Sequence, residues 1–182
     1  ERQAAGVLLE ALVLHPVETV LASIVEPLLV WIGDQWEAGR VSVAVEHLAS
    51  ALITRQLVAL YLATPDPWRP GRALAACVPG DRHEIGLLTI TVGLRRRGWE
   101  VLYLGADLPF EDLESVATDL KPAVFLLSAT TALDDGMLAA IDRLSHHLDS
   151  SEREIVLGGP AVRDRPLHLT RTTVLQGAYG EV

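Results

Sequence analysis

Short apolar runs alternate with stretches of helical length through residues 74–175. Repeated strand–helix units with apolar strands predict a parallel sheet that is covered by helices on both faces. The predicted strands are 74–78, 100–104, 123–127, 154–157 and 173–175. A five-stranded sheet of this kind commonly has the order 2-1-3-4-5, and its ligands bind at the carboxyl ends of the strands, beside the switch point between strands one and three.

The region before residue 64 has apolar residues at helical spacing instead. Four helices are predicted, with a break or kink at Pro27 between the second and third and with Ser42 as the N-cap of the fourth. The segment 65–70 contains three prolines and is a predicted linker. The predicted fold is therefore a four-helix bundle (1–64) followed by a flavodoxin-like (Rossmann-type) α/β domain (71–182).

The loop after the first predicted strand holds Asp81 and His83, and Gly86 follows three residues later. An imidazole can bind a metal through one ring nitrogen while a carboxylate accepts the proton of the other and fixes the tautomer. Gly86 allows a bulky ligand to lie close to the first helical turn. A plain surface histidine is the alternative for His83.

Small residues occupy the loops after strands three and four, at Ser128, Thr130, Gly158 and Gly159. Such residues would leave a slot beside the histidine. A phosphate site at a helix terminus is the competing interpretation of the glycine pair, but no phosphate-loop pattern or lysine supports it.

The formal charge of −9 argues against nucleic-acid binding by this chain alone, because phosphate contacts need clustered Lys and Arg. The single cysteine, Cys77, excludes an internal disulfide and fits a reducing cytoplasm. No uninterrupted apolar run long enough to cross a membrane is visible. Because Glu1 is the first residue and already looks helical, we expect the sequence to be a piece of a longer protein.

Taken together, these motifs resemble the D-x-H-x-x-G, S-x-L and GG elements of cobalamin-binding domains, although Ala129 and Thr130 follow Ser128 where the family has leucine. The resemblance implies that His83 replaces dimethylbenzimidazole as the lower cobalt ligand, with the Asp81 carboxylate as the hydrogen-bond partner of that histidine. It also implies that the displaced nucleotide tail lies in the slot. The cofactor-binding residues implied in this domain are Asp81, Arg82, His83, Glu84, Ile85, Gly86, Ser128, Thr130, Gly158 and Gly159.

In the helical part, Trp36 is followed after nine residues by Glu46 and His47. This spacing resembles the W-x9-E-H signature of cobalamin-binding photoreceptors of the CarH/LitR type, which are MerR-like transcription regulators. The resemblance implies that the bundle caps the upper cobalt face, with Trp36, Val43, Glu46 and His47 around the adenosyl group of adenosylcobalamin. Several members have a histidine directly after the tryptophan, whereas this chain has Glu37.

For function, the resemblance implies light-driven cleavage of the cobalt–carbon bond and a change of conformation or oligomeric state that controls transcription in the cytoplasm. It implies a head-to-tail homodimer or tetramer, to which the surface residues Arg82, Gly98 and Asp107 contribute. DNA would be contacted only through a DNA-binding domain absent from this sequence, and no membrane partner is expected.

Two alternatives stay open at this point. One is a corrinoid carrier of a methyltransferase system, which also pairs a helical bundle with such a domain; a mutase is disfavoured because no catalytic barrel accompanies the domain. The other is a flavodoxin-like binding module without a corrinoid. A second chromophore such as a bilin is not indicated by the sequence, and Cys77, within a predicted strand, is badly placed to tether one.

Overall fold

The structure, a computed structural model, describes residues 2–148, 153–163, 167, 169 and 171–175, and they form two compact units. The helical unit ends at Ala63 and the sheet unit begins at Thr64. The linker predicted at 65–70 belongs to the second of these units.

The helical unit contains four α-helices and one π-helical segment. The elements are α1 (Arg2–Leu14), α2 (Val17–Val20), the π segment (Leu21–Val25), α3 (Glu26–Glu37) and α4 (Val43–Leu62). Its core includes Val20, Leu21, Val25, Ile53 and Leu57, which are almost completely buried. The Ser42 hydroxyl accepts the Val45 N–H at 3.4 Å, so the predicted N-cap of α4 is present.

Of the two possibilities predicted at Pro27, a break or a kink, the structure excludes the break. The residues on either side of the junction, Val25 and Glu26, are both right-handed helical, and α3 begins at Glu26. A proline ring normally collides with the carbonyl group four residues earlier, and the π-helical segment widens the turn at that position. The Glu26 N–H correspondingly donates to the Leu21 carbonyl, five residues back. The second and third predicted helices therefore run on continuously.

The sheet unit has the predicted alternation of strands and helices. Its elements are β1 (Arg72–Cys77), α5 (Ile85–Arg96), β2 (Glu100–Gly105), α6 (Phe110–Leu120), β3 (Val124–Ser128), α7 (Asp135–His147), β4 (Glu154–Gly158), a 3-10 turn (Pro160–Val162) and β5 (Thr172–Val174). All four strand pairings are parallel and the order is β2-β1-β3-β4-β5. This confirms the predicted fold class and places the loops after β1 and β3 side by side.

Alternate residues of β1 pack into different apolar layers. Leu74, Ala76 and Val78 join the core that includes residues of α6 and α7. Ala73, Ala75 and Cys77 join a second layer with Leu87 of α5. The sheet is thus buried on both faces, and its carboxyl edge is left for a ligand.

The linker is fastened to the C-terminal end of α5. The N–H groups of Trp68 and Arg69 both donate to the Gly98 carbonyl, at 3.1 and 2.9 Å. Gly98 has φ +89°, and a Cβ there would lie 2.2 Å from the Trp68 ring. The expectation that Gly98 lies on the surface is therefore wrong, because the Trp68 indole covers it.

Among the described helices, α4 is the one that is long and apolar enough to cross a membrane by length and composition. This is a weak indication, since core helices meet the same test. Glu46 and Arg55 also interrupt its apolar sequence.

Candidate functional site

The loop after β1 presents His83 on a buried carboxylate. Asp81 is fully buried, whereas 64% of the His83 side chain is exposed. Asp81 Oδ1 accepts both the backbone N–H of His83 and its Nδ1–H, each at 2.9 Å. A neutral imidazole that donates through Nδ1 carries its lone pair on Nε2, so the ring is prepared to ligate a metal through Nε2.

The second carboxylate oxygen of Asp81 ties this loop to the loop after β3. Oδ2 accepts the N–H of Thr130 in a short hydrogen bond and the N–H of Thr131 at 3.4 Å. Burial alone would raise the pKa of Asp81, but the hydrogen bonds from Thr130, His83 and Thr131 outweigh it and lower that pKa below its ordinary value of 3.8. Asp81 is therefore an anion at neutral pH and a strong acceptor for His83.

The loop after β2 supports Asp81 from the other side, through Asp107, which was predicted as a surface residue and not as part of the site. Asp107 Oδ1 accepts the Gly80 N–H at 2.7 Å, and the Asp107 N–H donates to the Asp81 carbonyl at 3.0 Å. Arg82 is 84% exposed in its side chain, and its Nε lies 3.7 Å from Asp107 Oδ2. Asp107 adopts this position with a left-handed φ of +55°, a backbone conformation that the sequence does not reveal.

Ser128 and the glycine pair meet at the edge of the sheet, as the topology predicts. Ser128 pairs with Gly158 in the β3–β4 register, and the Gly158 carbonyl accepts the N–H of Ala129 at 2.9 Å. A Cβ on Gly159 would lie 2.3 Å from the Ala129 carbonyl oxygen, so the two backbones approach too closely for any side chain there. Ser128 and both glycines are half-buried, which leaves small groups lining this edge.

Glu84, Ile85 and Gly86 form the start of α5. Glu84 occupies the N-cap position of the helix without a capping bond from its side chain, and its carboxylate accepts the Tyr103 hydroxyl at 2.7 Å. Burial, together with the bond to Glu84, raises the pKa of Tyr103 far above its usual range, so the hydroxyl stays a donor. Gly86 is exposed, and a Cβ there would meet nothing within 4 Å, which leaves room for a ligand beside this turn.

Cys77 is the last residue of β1, just before the loop, and its thiol is unreactive. It is fully buried, and burial, with added repulsion from Asp81 and Glu84, raises the pKa of its thiol to about 12. The thiolate is therefore scarce at neutral pH. This supports the expectation that Cys77 is not a tether for a second chromophore.

The residues singled out in the helical unit lie at the end of α3 and the start of α4. Trp36 and Val43 are about half exposed, at 49% and 52%. Glu46 accepts at both carboxylate oxygens, from His47 Nδ1 at 2.6 Å and from the Ser50 hydroxyl at 2.6 Å. Glu46 is thereby held in one orientation, while the His47 ring stays largely exposed. Ser50 was not predicted as part of this group.

A cobalt ion in a corrin ring fits the donor set of the sheet unit. Among the described residues, no group of three or more His, Cys, Asp or Glu side chains is arranged to hold a metal ion. A free metal ion usually needs three or four protein ligands, whereas a corrin supplies the equatorial nitrogens itself. One exposed imidazole oriented by a buried carboxylate is the donor that such a metal requires.

Two family models match the chain, and both are described as a B12 binding domain. One matches residues 71–182 and the other matches residues 1–61. The two matches together include every predicted cofactor-binding residue, from Trp36 to Gly159.

Two curated relatives, both from Myxococcus xanthus, are similar over most of the chain. The HTH-type transcriptional repressor CarA is 38% identical over an alignment of 148 residues, and the match covers 78% of this chain and 48% of the relative. The HTH-type transcriptional repressor CarH is 35% identical over 130 residues, 71% of this chain and 43% of the relative. The chain thus spans about half the length of the curated relatives that it matches.

Solved structures with the same fold are less similar in sequence. The monomethylamine corrinoid protein of Methanosarcina barkeri superposes with a TM-score of 0.71 at 19% identity, covering 96% of this chain and 84% of that one. The methanol:cobalamin methyltransferase complex MtaBC of the same organism gives 0.52 at 18% identity, covering 87% of this chain and 62% of that one. At these identities the likeness concerns the fold alone.

Proposed function

The chain belongs to the family of B12 binding domains, and from this premise we propose that it is a light sensor that holds adenosylcobalamin with His83 as the lower cobalt ligand. The single observation that carries the proposal is the pairing of an exposed imidazole with a fully buried carboxylate at the switch point of the sheet. A surface histidine without a function would not require a fully buried aspartate whose carboxylate accepts four N–H groups.

The residues of the sheet unit have distinct parts in this proposal. Asp81 holds the His83 tautomer and increases the basicity of Nε2, as the partners of metal-bound histidines generally do. Ser128, Thr130, Gly158 and Gly159 line the edge of the sheet for the nucleotide tail. Arg82, Glu84, Ile85 and Gly86 would lie beside the corrin and help to hold it.

In this proposal, side chains of the helical unit would contact the adenosyl group. Trp36 and Val43 offer exposed apolar area on which an adenine can stack. The Glu46 carboxylate, already oriented by Ser50 and His47, can accept hydrogen bonds from ribose hydroxyls. When bound, adenosylcobalamin supplies a light-labile cobalt–carbon bond, and loss of the adenosyl group would leave these side chains without their partner.

The output that we propose is control of transcription. Both curated relatives are named HTH-type transcriptional repressors, and this chain corresponds to about half of each. We propose that a DNA-binding part outside this chain reads a light-dependent change of conformation or self-association in the cytoplasm. With Glu37 in place of a histidine after Trp36, a light state with two histidine ligands on cobalt would need His47 or another group to take that place.

An absorption experiment tests the proposal. Purified protein is mixed with adenosylcobalamin in the dark, illuminated, and followed by its spectrum and by size-exclusion chromatography. We expect a histidine-bound spectrum that light changes together with the elution volume, and we expect His83→Ala to lose that spectrum. His146→Ala removes another exposed imidazole, on α7, and is the matched control. An unchanged spectrum in His83→Ala would overturn the assignment.

A second candidate function is a corrinoid carrier for methyl transfer. The observation that favours it is the likeness in fold to a corrinoid protein over 96% of this chain. Affinities for methylcobalamin and adenosylcobalamin separate the two candidates. Strong preference for the methyl form, with no effect of light on the elution volume, would support the carrier and contradict the sensor.

A further inference from the structure

Tyr103, on β2, is outside every motif described above, yet its hydroxyl donates a hydrogen bond to Glu84, the residue that follows His83. We infer that Tyr103 is a positioning residue for the lower cobalt ligand and acts through Glu84; this inference rests on the proposed function. Tyr103 is not expected to touch the cofactor.

Tyr103 is well fixed by its own surroundings. It is one of the partly buried residues that pack against the apolar layer formed by Ala75, Cys77 and Leu87, on the α5 side of the sheet. The register of β1 and β2 shifts just beyond it, so that Ala75 pairs with Tyr103 but Ala76 pairs with Gly105. The ring is thus held in the apolar layer, and its hydroxyl reaches the carboxyl edge of the sheet.

Glu84 connects Tyr103 to the start of α5. Its carbonyl accepts the Leu88 N–H at 2.9 Å, the bond expected of a helix-capping residue. Its carboxylate does not cap the helix and is bonded to the Tyr103 hydroxyl at 2.7 Å instead. The first turn of α5 is therefore fastened to β2 by a charge-assisted hydrogen bond.

His83 lies between two anchored residues. Asp81 is held by the loops after β2 and β3, and Glu84 is held by Tyr103. Since most of the His83 ring is exposed, little packing fixes it, and its direction depends on the hydrogen bond to Asp81 and on the backbone on either side. A metal ligand requires a defined direction, and the outer partners of a ligand supply it.

The test is Tyr103→Phe, which keeps the ring and removes the hydroxyl. We expect cobalamin affinity to fall about 10-fold, the lower end of what outer partners of metal ligands contribute. We also expect a smaller fraction of bound cofactor with a histidine nitrogen on cobalt, measured from nitrogen splitting in the electron paramagnetic resonance spectrum of the cobalt(II) form. Glu84→Ala should cause a similar loss, and the double variant should lose little more than either single variant.

Thr89→Val is the matched control. Thr89 is a buried residue of the same helix whose hydroxyl donates to the Ile85 carbonyl at 2.9 Å, so this variant also removes one hydroxyl bond. It should bind cobalamin as the unaltered protein does. If Tyr103→Phe does not fold, Glu84→Gln takes its place, and it should lose less than Glu84→Ala because the amide oxygen still accepts from Tyr103.

The inference fails if Tyr103→Phe binds cobalamin with unaltered affinity and a full histidine signal. It also fails if the losses in Tyr103→Phe and Glu84→Ala are additive. His83→Ala measured in parallel keeps this failure apart from failure of the proposed function. If His83→Ala loses the histidine signal while Tyr103→Phe keeps it, the cobalt ligand stands and only the role of Tyr103 is refuted.

Discussion

Replacing Asp81 by asparagine removes the charge of the carboxylate at almost constant volume. The carboxylate accepts four N–H groups, two from His83 and one each from Thr130 and Thr131. An amide has only one oxygen, so either orientation of the new side chain leaves two of the four donors facing an NH₂ group. Each unsatisfied donor costs about 1–3 kcal/mol, and the His83 side chain recovers part of this from water. We expect the free energy of unfolding to fall by about 3 kcal/mol.

Urea unfolding of the cofactor-free protein at neutral pH measures this difference. Asp134→Asn is the matched control, because Asp134 caps α7 by accepting the Met137 N–H at 2.7 Å and asparagine is an equally good N-cap. The control should change the free energy of unfolding by less than about 0.5 kcal/mol. If Asp81→Asn is as stable as the control, the buried carboxylate does not organise the loops and the reasoning is refuted.

Three further predictions concern the same unit. The folded protein holds the pKa of Asp81 below 3.8, so its carboxylate stabilises the folded state fully above about pH 5 and loses this contribution as the pH falls from there towards the lower pKa of the folded state. Over this range the free energy of unfolding, measured with urea, should depend less on pH in Asp81→Asn than in the unaltered protein. Gly159→Ala should lower the free energy of unfolding by about 3 kcal/mol, because its Cβ would collide with the Ala129 carbonyl and its φ is +112°. Gly80→Ala, with a φ of +77° and open space around the Cβ, should lower it by about 1 kcal/mol, and equal losses in the two variants would contradict the collision. Gly98→Ala should displace the Trp68 indole and speed chymotrypsin cleavage after that residue, with Gly80→Ala as the control and unaltered cleavage as the contrary result.

The sheet unit was predictable because its periodicity and its chemistry agree. Apolar strands that alternate with helices give the order β2-β1-β3-β4-β5, and that order brings Asp81 beside Thr130 and Ser128 beside Gly158. The hydrogen bond between Asp81 and His83 could also be expected, from a carboxylate two residues before an imidazole in the same loop.

Contacts through backbone groups and irregular geometry were not predictable. The support of Asp81 by Asp107 depends on a left-handed residue, and the hydrogen bond from Tyr103 to Glu84 joins residues that are nineteen positions apart in the chain. A π-helical segment removes the break expected at Pro27, and the docked linker covers Gly98. In each case tertiary packing selects a conformation that local preference does not encode.

The most direct test of the central claim is the electron paramagnetic resonance spectrum of the cobalt(II) form of the reconstituted protein, prepared with ordinary histidine and with ¹⁵N-labelled histidine. If His83 is the lower ligand, each cobalt line is split into a triplet by ordinary nitrogen, and the label converts the triplet into a doublet. His83→Ala should show no change on labelling. A triplet that the label leaves unaltered in the unmutated protein would mean that the cofactor's own dimethylbenzimidazole still binds cobalt, and it would contradict the account.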